Sequence, residues 1–234
     1  MSCVSRCASR PDIKSHARPC AARCGARVGG VKKTFHASER DTPRVRRARG
    51  RFSRRTARLA ASRFIFVDES GVNITFARRY ARAPGGERAH GTAPTHWSHN
   101  VSLIGALSTT GVVAAMSVAG STDAEVFCAY LREVLAPRLS ARDIVVMDNL
   151  SVHKVREVRR IISARGARLM YLPPYSPDLS PIEQCWSKVK TYLRSRAARS
   201  YEALDEAITE ALSKITVENA QAWFKHCGYR VSRK

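Results

Sequence analysis

The sequence predicts an α/β fold, a mixed five-stranded sheet flanked by helices, behind a basic and partly disordered N-terminal arm. Three observations carry this. Strand-like apolar runs at 64–67, 100–108 and 112–119 follow one another, the last two joined by the hairpin signal Thr109-Thr110-Gly111. Shorter apolar runs at 144–148 and 167–172 then alternate with segments of helical periodicity. Three antiparallel strands followed by helix, strand, helix, strand, helix is the RNase H-like order. The third observation is charge: residues 1–63 hold 18 Lys and Arg against 3 Asp and Glu, and the remainder 23 against 16. We assign 1–62 to the arm and connector and 63–234 to the folded domain.

Hydrophobic content of 44% and charged content of 26% are ordinary for a globular protein, and 234 residues suffice for one sizeable core. The net charge of +22 is not ordinary. A polyanionic partner is its simplest explanation, with a merely solvated arm the plainer reading of residues 1–30. Those residues carry neither the pattern of a secretory signal nor an amphipathic helix pair. Cys3, Cys7, Cys20 and Cys24 form two Cys-x3-Cys pairs, open to a small zinc site or to plain free thiols. No run is long enough to span a membrane, so the expectation is a soluble protein without a membrane partner.

Residues 42–62 read as a basic helix or arm entering the core. Arg46, Arg47, Arg49, Arg51, Arg54, Arg55 and Arg58 are available to phosphates, which gives affinity without sequence readout. The first strand, Phe64–Val67, is completed by Asp68 and followed by the turn signal Glu69-Ser70-Gly71. Residues 73–99, rich in Arg, Gly, Pro and His, form a loop expected to flank the site. Ser121 or Thr122 is expected to cap a helix with Ala124, Phe127, Cys128, Leu131, Val134 and Leu135 on its inner face. The strand 144–148 ends in Asp148, and Asn149 fixes either that carboxylate or the turn. A basic helix over 152–165 turns Val155, Val158, Ile161 and Ile162 inward. After the fifth strand, two covering helices are expected over 201–215 and 217–224.

Residues 171–196, YLPPYSPDLSPIEQCWSKVKTYLRSR, organise the rest. Pro173, Pro174, Pro177 and Pro181 stiffen the approach to a helix, because each fixes its own φ and biases the residue before it. Ser180 suits the N-cap, Pro181 the first helical position, and Glu183 the third. Ile182, Trp186, Val189 and Leu193 then make a buried stripe, with Glu183, Ser187, Lys190 and Arg194 on another face. S-x-x-E is also a capping box, in which Glu183 only bonds back to Ser180. The alternative comes from Asp68 and Asp148, each at the end of an apolar run where an unpaired carboxylate is costly. Two strand ends and a helix start converging make a hard oxygen site for Mg²⁺ or Mn²⁺. Glu69 points to the opposite face from Asp68 and suits salt pairing. His90, His96, His99 and His153 are read as solvated or capping, and Cys128, Cys185 and Cys227 as small core residues.

FVDES (66–70), VMDNLSVHK (146–154) and LPPYSPDLSPIEQCW (172–186), with 34 residues between Asp148 and Glu183, resemble one family. It is the DDE transposases of the mariner superfamily, in particular the bacterial insertion-sequence branch, and the resemblance runs from about Val31 to Tyr229. It implies that Asp68, Asp148 and Glu183 are the catalytic and metal-binding residues of a two-metal site for Mg²⁺ or Mn²⁺. Implied chemistry is cleavage of a DNA strand by water, then attack of the freed 3′-OH on target DNA. Implied partners are double-stranded DNA, as transposon ends and target, and a second copy of the chain. For His153, five residues past Asp148, contact with substrate phosphate or orientation of a water is the alternative to the favoured solvated or capping role. DNA-contacting candidates are Arg46, Arg47, Arg54, Arg55, Lys154, Lys188, Lys190 and Arg194. Such transposases usually begin with helix-turn-helix units; VKKTFHASERD (31–41) resembles their connector, so the expectation is a product lacking that module. Two rivals stand beside this reading: a remnant that only binds DNA, and an RNase H-like hydrolase that cuts without joining.

Overall fold

The computed structural model describes residues 36–94 and 99–231. In chain order these form α1 (Pro43–Thr56), β1 (Phe64–Val72), β2 (Val101–Ser108), β3 (Gly111–Ala119), α2 (Ala124–Ala129) and β4 (Ile144–Met147). Then follow α3 (Arg156–Ala164), β5 (Arg168–Tyr171), α4 (Pro181–Arg196), α5 (Tyr201–Ser213) and α6 (Val217–His226). The zinc and helix-turn-helix expectations concern residues outside those described, as does the reading of His96; of the arm assigned to 1–62, residues 36–62 are described, and 43–56 form α1 with Phe52 in the core.

The strands make one sheet in the order β3-β2-β1-β4-β5. β1, β2 and β3 are antiparallel neighbours, and β4 and β5 run parallel to β1. This is the mixed, RNase H-like sheet flanked by helices that the sequence predicts. The period-two alternation of β1 divides the core. Phe64 and Phe66 pack with α4, α5 and α6 on one face, while Ile65 and Val67 pack with α2 and α3 on the other. Burying each large apolar side chain contributes about 1.5–3 kcal/mol. α1 joins the first face through Phe52. No helix among the described residues is long and apolar enough to cross a membrane.

Three local expectations need correction. β1 does not end at Asp68; it continues to Val72, because β2 pairs with it from Phe66 to Val72 and Ser70 and Val72 are buried. Tertiary pairing overrides the Glu69-Ser70-Gly71 turn signal, so Asp68 sits mid-strand. The cap of α2 is Asp123, whose side chain accepts from the Val126 N–H, rather than Ser121 or Thr122. Its helix widens into a π-turn over Tyr130–Leu135. The helix expected over 152–165 begins instead as a 3₁₀ turn, Ser151–Lys154, with Val155 extended before α3. The turn is drawn inward because His153 is fully buried and its carbonyl accepts from the Tyr171 hydroxyl at 2.8 Å.

Candidate active site

Parallel pairing of β1 with β4 stops at Phe66 and Val146. Asp68, on β1, and Asp148, the first residue past β4, each lie two residues beyond that last pair, and both line one cavity where the two strands part. β5 ends at Tyr171, and the turn through Pro173, Pro174 and Pro177 carries the chain to α4. Ser180 occupies the N-cap of α4, but its side chain caps nothing and no capping box closes. Glu183 is thereby free of the bland role the motif allows. Asp68, Asp148 and Glu183 all line one cavity of about 580 Å³, together with Asn149, Leu150, Tyr175 and the proline turn.

Each aspartate is held by a neighbour that the sequence reading missed. The Trp186 indole Nε1–H, from α4, donates to Asp68 Oδ2 at 3.1 Å. It reaches across the sheet because Gly105, the β2 partner of Asp68, has no side chain: a Cβ there would lie 2.5 Å from the ring. An isolated glycine inside a strand pattern is the signal that could have revealed this close approach. On the other face, His153 lies between two carboxylates. Its Nε2 is 3.0 Å from Glu69 Oε1, and its Nδ1 is 2.7 Å from Asp148 Oδ1, an ion-pair distance without hydrogen-bond alignment. Glu69 thus forms the expected salt pair. His153, neither solvated nor capping, corrects the reading of its position. Asp148 also accepts from the Leu150 N–H at 2.9 Å, and Asn149 donates to the Leu172 carbonyl, fixing the turn rather than the carboxylate.

Electrostatics follow from this crowding. Burial pushes the Asp68 carboxyl up to about 7, with repulsion from Glu183, Glu69 and Asp148 adding. Burial likewise raises Glu183; Lys190 opposes that and Asp148 reinforces it. Burial works against Asp148 ionising, but His153 and the Leu150 N–H outweigh it and hold the carboxyl below its ordinary value. Burial alone would lower His153, yet the two carboxylates raise it to about 9. Three hard oxygen donors, two with raised pKa values, fit a divalent cation by their chemistry. As placed, no three His, Cys, Asp or Glu side chains among the described residues are close enough to hold one ion.

The cations expected to meet DNA divide into groups. Lys154 is exposed and acts electrostatically on Asp148, and Lys190 acts on Glu183. Lys188 instead bonds the Lys214 carbonyl at 2.8 Å and the Asn219 side chain, tying α4 to α6. Arg194 lies over the Phe76 ring at 5.0 Å. On α1, Arg46, Arg47, Arg54 and Arg55 are exposed. Arg49, by contrast, donates twice to Asp178 at 2.6 and 3.0 Å and to Ser176 Oγ at 2.6 Å, and Arg40 reaches the same carboxylate at 3.1 Å. This bracket fastens α1 to the turn preceding Glu183. The loop after β1 does not line the carboxylate cavity in its described part; Arg199 holds it through the Ile74, Phe76 and Thr92 carbonyls.

A mixed sheet in the RNase H-like order, with carboxylates from β1, the end of β4 and the start of α4 on one cavity, defines a DDE-type endonuclease domain. The family model for DDE superfamily endonucleases matches residues 63–205, and the chain belongs to that family. A search of curated proteins finds no match. Among solved structures, the chain is similar to a pre-cleavage Mos1 transpososome, with 18% identity and a TM-score of 0.67 over 86% of this chain and 64% of that one. A Mos1 mariner paired-end complex with Mn aligns at 19% identity and TM-score 0.65, over 87% of this chain and 64% of that one. The catalytic domain of Mos1 mariner transposase aligns at 16% identity and TM-score 0.58, covering 84% of this chain and 92% of that one. The chain thus spans less than two thirds of the first of these relatives, and at such identities the likeness shows the fold.

Proposed function

We propose that this chain is a DNA transposase of the mariner-like, bacterial insertion-sequence kind, which cuts a DNA strand and joins the freed 3′-OH to target DNA. The observation that carries the reading is the gathering of Asp68, Asp148 and Glu183 on one cavity, in a chain of the DDE endonuclease family. The solved relatives include Mos1 complexes with Mn and with Mg and a Mos1 strand transfer complex, which supports divalent metal, DNA and joining chemistry here. Asp68, Asp148 and Glu183 would hold Mg²⁺ or Mn²⁺, two ions on this reading, and the metal would supply charge stabilisation and activation of water at the reacting phosphate. The chain's own part is positioning. Trp186 aims Asp68, His153 holds Asp148 against Glu69, and the Arg49 bracket fixes the turn that presents Glu183. DNA, as transposon ends and target, is the substrate; a homodimer or larger assembly is the working form, and the cytoplasmic nucleoid its place.

Supercoiled plasmid DNA with Mg²⁺ or Mn²⁺ tests this, comparing wild type with Glu183→Gln. Nicking that requires metal and disappears in the variant is expected, followed by joined products when a donor end is supplied. Cutting without joining would favour a hydrolase; binding without cutting, identical in both proteins, would leave a DNA-binding remnant.

A further inference from the structure

Two hollows adjoin one another along β5, the edge strand of the sheet, and meet the carboxylate cavity, a third, at one end. The first, about 440 Å³, is bounded by Arg54, Arg55, Arg58 and Arg168 over a floor of Leu59, Ile144, Leu169 and Met170. The second, about 590 Å³, carries Arg51 and Arg55 and shares Leu169 and Met170 with the first. It also shares Asn149, Leu172, Pro173 and Pro174 with the carboxylate cavity. The hollows therefore make one trough between α1 and β5, open at its end onto Asp68, Asp148 and Glu183.

Its arginines differ from their neighbour Arg49. Arg49 is spent on Asp178 and Ser176, while Arg51, Arg54, Arg55, Arg58 and Arg168 have no ion pair with any described residue. α1 carries seven arginines and no acid in its 14 residues. Cations at i, i+3 and i+4, such as Arg51 with Arg54 and Arg55, repel along a helix and weaken it. A merely solvated face would intersperse acids to relieve this. Here the charge is kept unrelieved and turned into a groove with an apolar floor. Guanidinium forks at the rim of such a groove match phosphodiester oxygens, and an apolar floor suits sugar faces.

We infer that this trough is the seat of the DNA strand leading to the carboxylates, with Arg51 and Arg55 taking the phosphates nearest the reacting one. The inference rests on the DNA-cutting reading above. It also divides the α1 arginines: Arg44 and Arg47, exposed on the same helix, line none of the three hollows and stand outside the path.

The test is metal-free binding of a labelled duplex of about 30 base pairs, followed by anisotropy across a salt series. Arg51→Gln with Arg55→Gln is compared with Arg44→Gln with Arg47→Gln, an equal change of charge. The trough pair should weaken binding and lower the salt slope by about 2, one for each phosphate no longer neutralised, with the control pair near wild type. Melting temperatures confirm that both variants fold, and Arg51→Lys with Arg55→Lys should restore most of the slope. Equal losses in the two pairs, or none in the trough pair, overturn the trough while leaving the enzyme reading intact. Wild type that neither binds the duplex nor nicks plasmid overturns both.

Discussion

At the scale of single residues, the site is built by substituting neighbours for the water a carboxylate would prefer. Gly105 is the least conspicuous of these and among the most constrained. Gly105→Ala places a methyl 2.5 Å from the Trp186 ring, inside van der Waals contact with a buried indole. Overpacking of this kind costs about 1–3 kcal/mol, and a ring that shifts to relieve it disturbs its N–H bond to Asp68. Chemical denaturation should show that loss, and metal-dependent nicking should fall with it; unchanged stability would mean the ring is not seated there. The crowded acids and His153 also set the response of the metal-free protein to pH. Asp68 is held at about 7 instead of 3.8, and His153 at about 9 instead of 6.5, so both bind protons more tightly folded than unfolded. Each contribution is present below the unfolded value and is lost as pH rises through the folded one. Metal-free protein should thus lose stability from about pH 4 to 7 through Asp68 and from about 6.5 to 9 through His153. Urea titrations across that range check it. Asp68→Asn should flatten the lower limb and raise the melting temperature at alkaline pH, His153→Gln the upper limb; stability rising through this window would contradict both assignments.

At the scale of elements, the parts most legible in the sequence are those where local chemistry and tertiary demand agree. The hairpin between β2 and β3, the proline-fixed entry to α4 and the buried stripe Ile182, Trp186, Val189 and Leu193 fall where periodicity puts them. Asp68, Asp148 and Glu183, singled out by their local contexts, line one cavity. What sequence could not show is pairing between distant segments. β1 outruns its own turn signal because β2 offers it partners, and the helix after Asp148 gives up a turn because His153 is drawn in toward Glu69, 84 positions earlier. The bracket between α1 and the α4 turn is of the same kind, since nothing local marks Arg49 apart from its six neighbours on the helix. Arg49→Ala removes the two hydrogen bonds to Asp178 and the one to Ser176. Because Asp178 is partly open to solvent, the global cost should be about 1 kcal/mol. The larger effect is local: hydrogen exchange over 173–180 should speed up and nicking should slow even at saturating metal. Exchange confined to α1 would show that the bracket holds the helix and not the turn.

At the scale of the whole molecule, the three carboxylates bring a cost that the entire fold carries. They come from the middle of β1, the end of β4 and the first turn of α4, so only complete folding forces them together. Burial and mutual repulsion leave Asp68 up at about 7, and burial with repulsion from Asp148 raises Glu183. A divalent ion that binds this gathered set, and binds the unfolded chain weakly, stabilises the fold by mass action, about 2.7 kcal/mol at a hundredfold excess over its dissociation constant. Protons compete for the same oxygens, so the gain depends on pH. Thermal melting in Mg²⁺ or Mn²⁺ should therefore show a clear upward shift at about pH 8, where Asp68 is ionised, and a much smaller one at about pH 5.5, where it is protonated. Glu183→Gln and Asp148→Asn should each shrink the shift at the higher pH without lowering the metal-free melting temperature by a comparable amount. A shift of equal size at both pH values, or one that survives these substitutions, would place the metal elsewhere on the protein. Because melting reads binding without DNA and without turnover, its outcome separates a site that cannot hold metal from one that holds metal but lacks a substrate to cut.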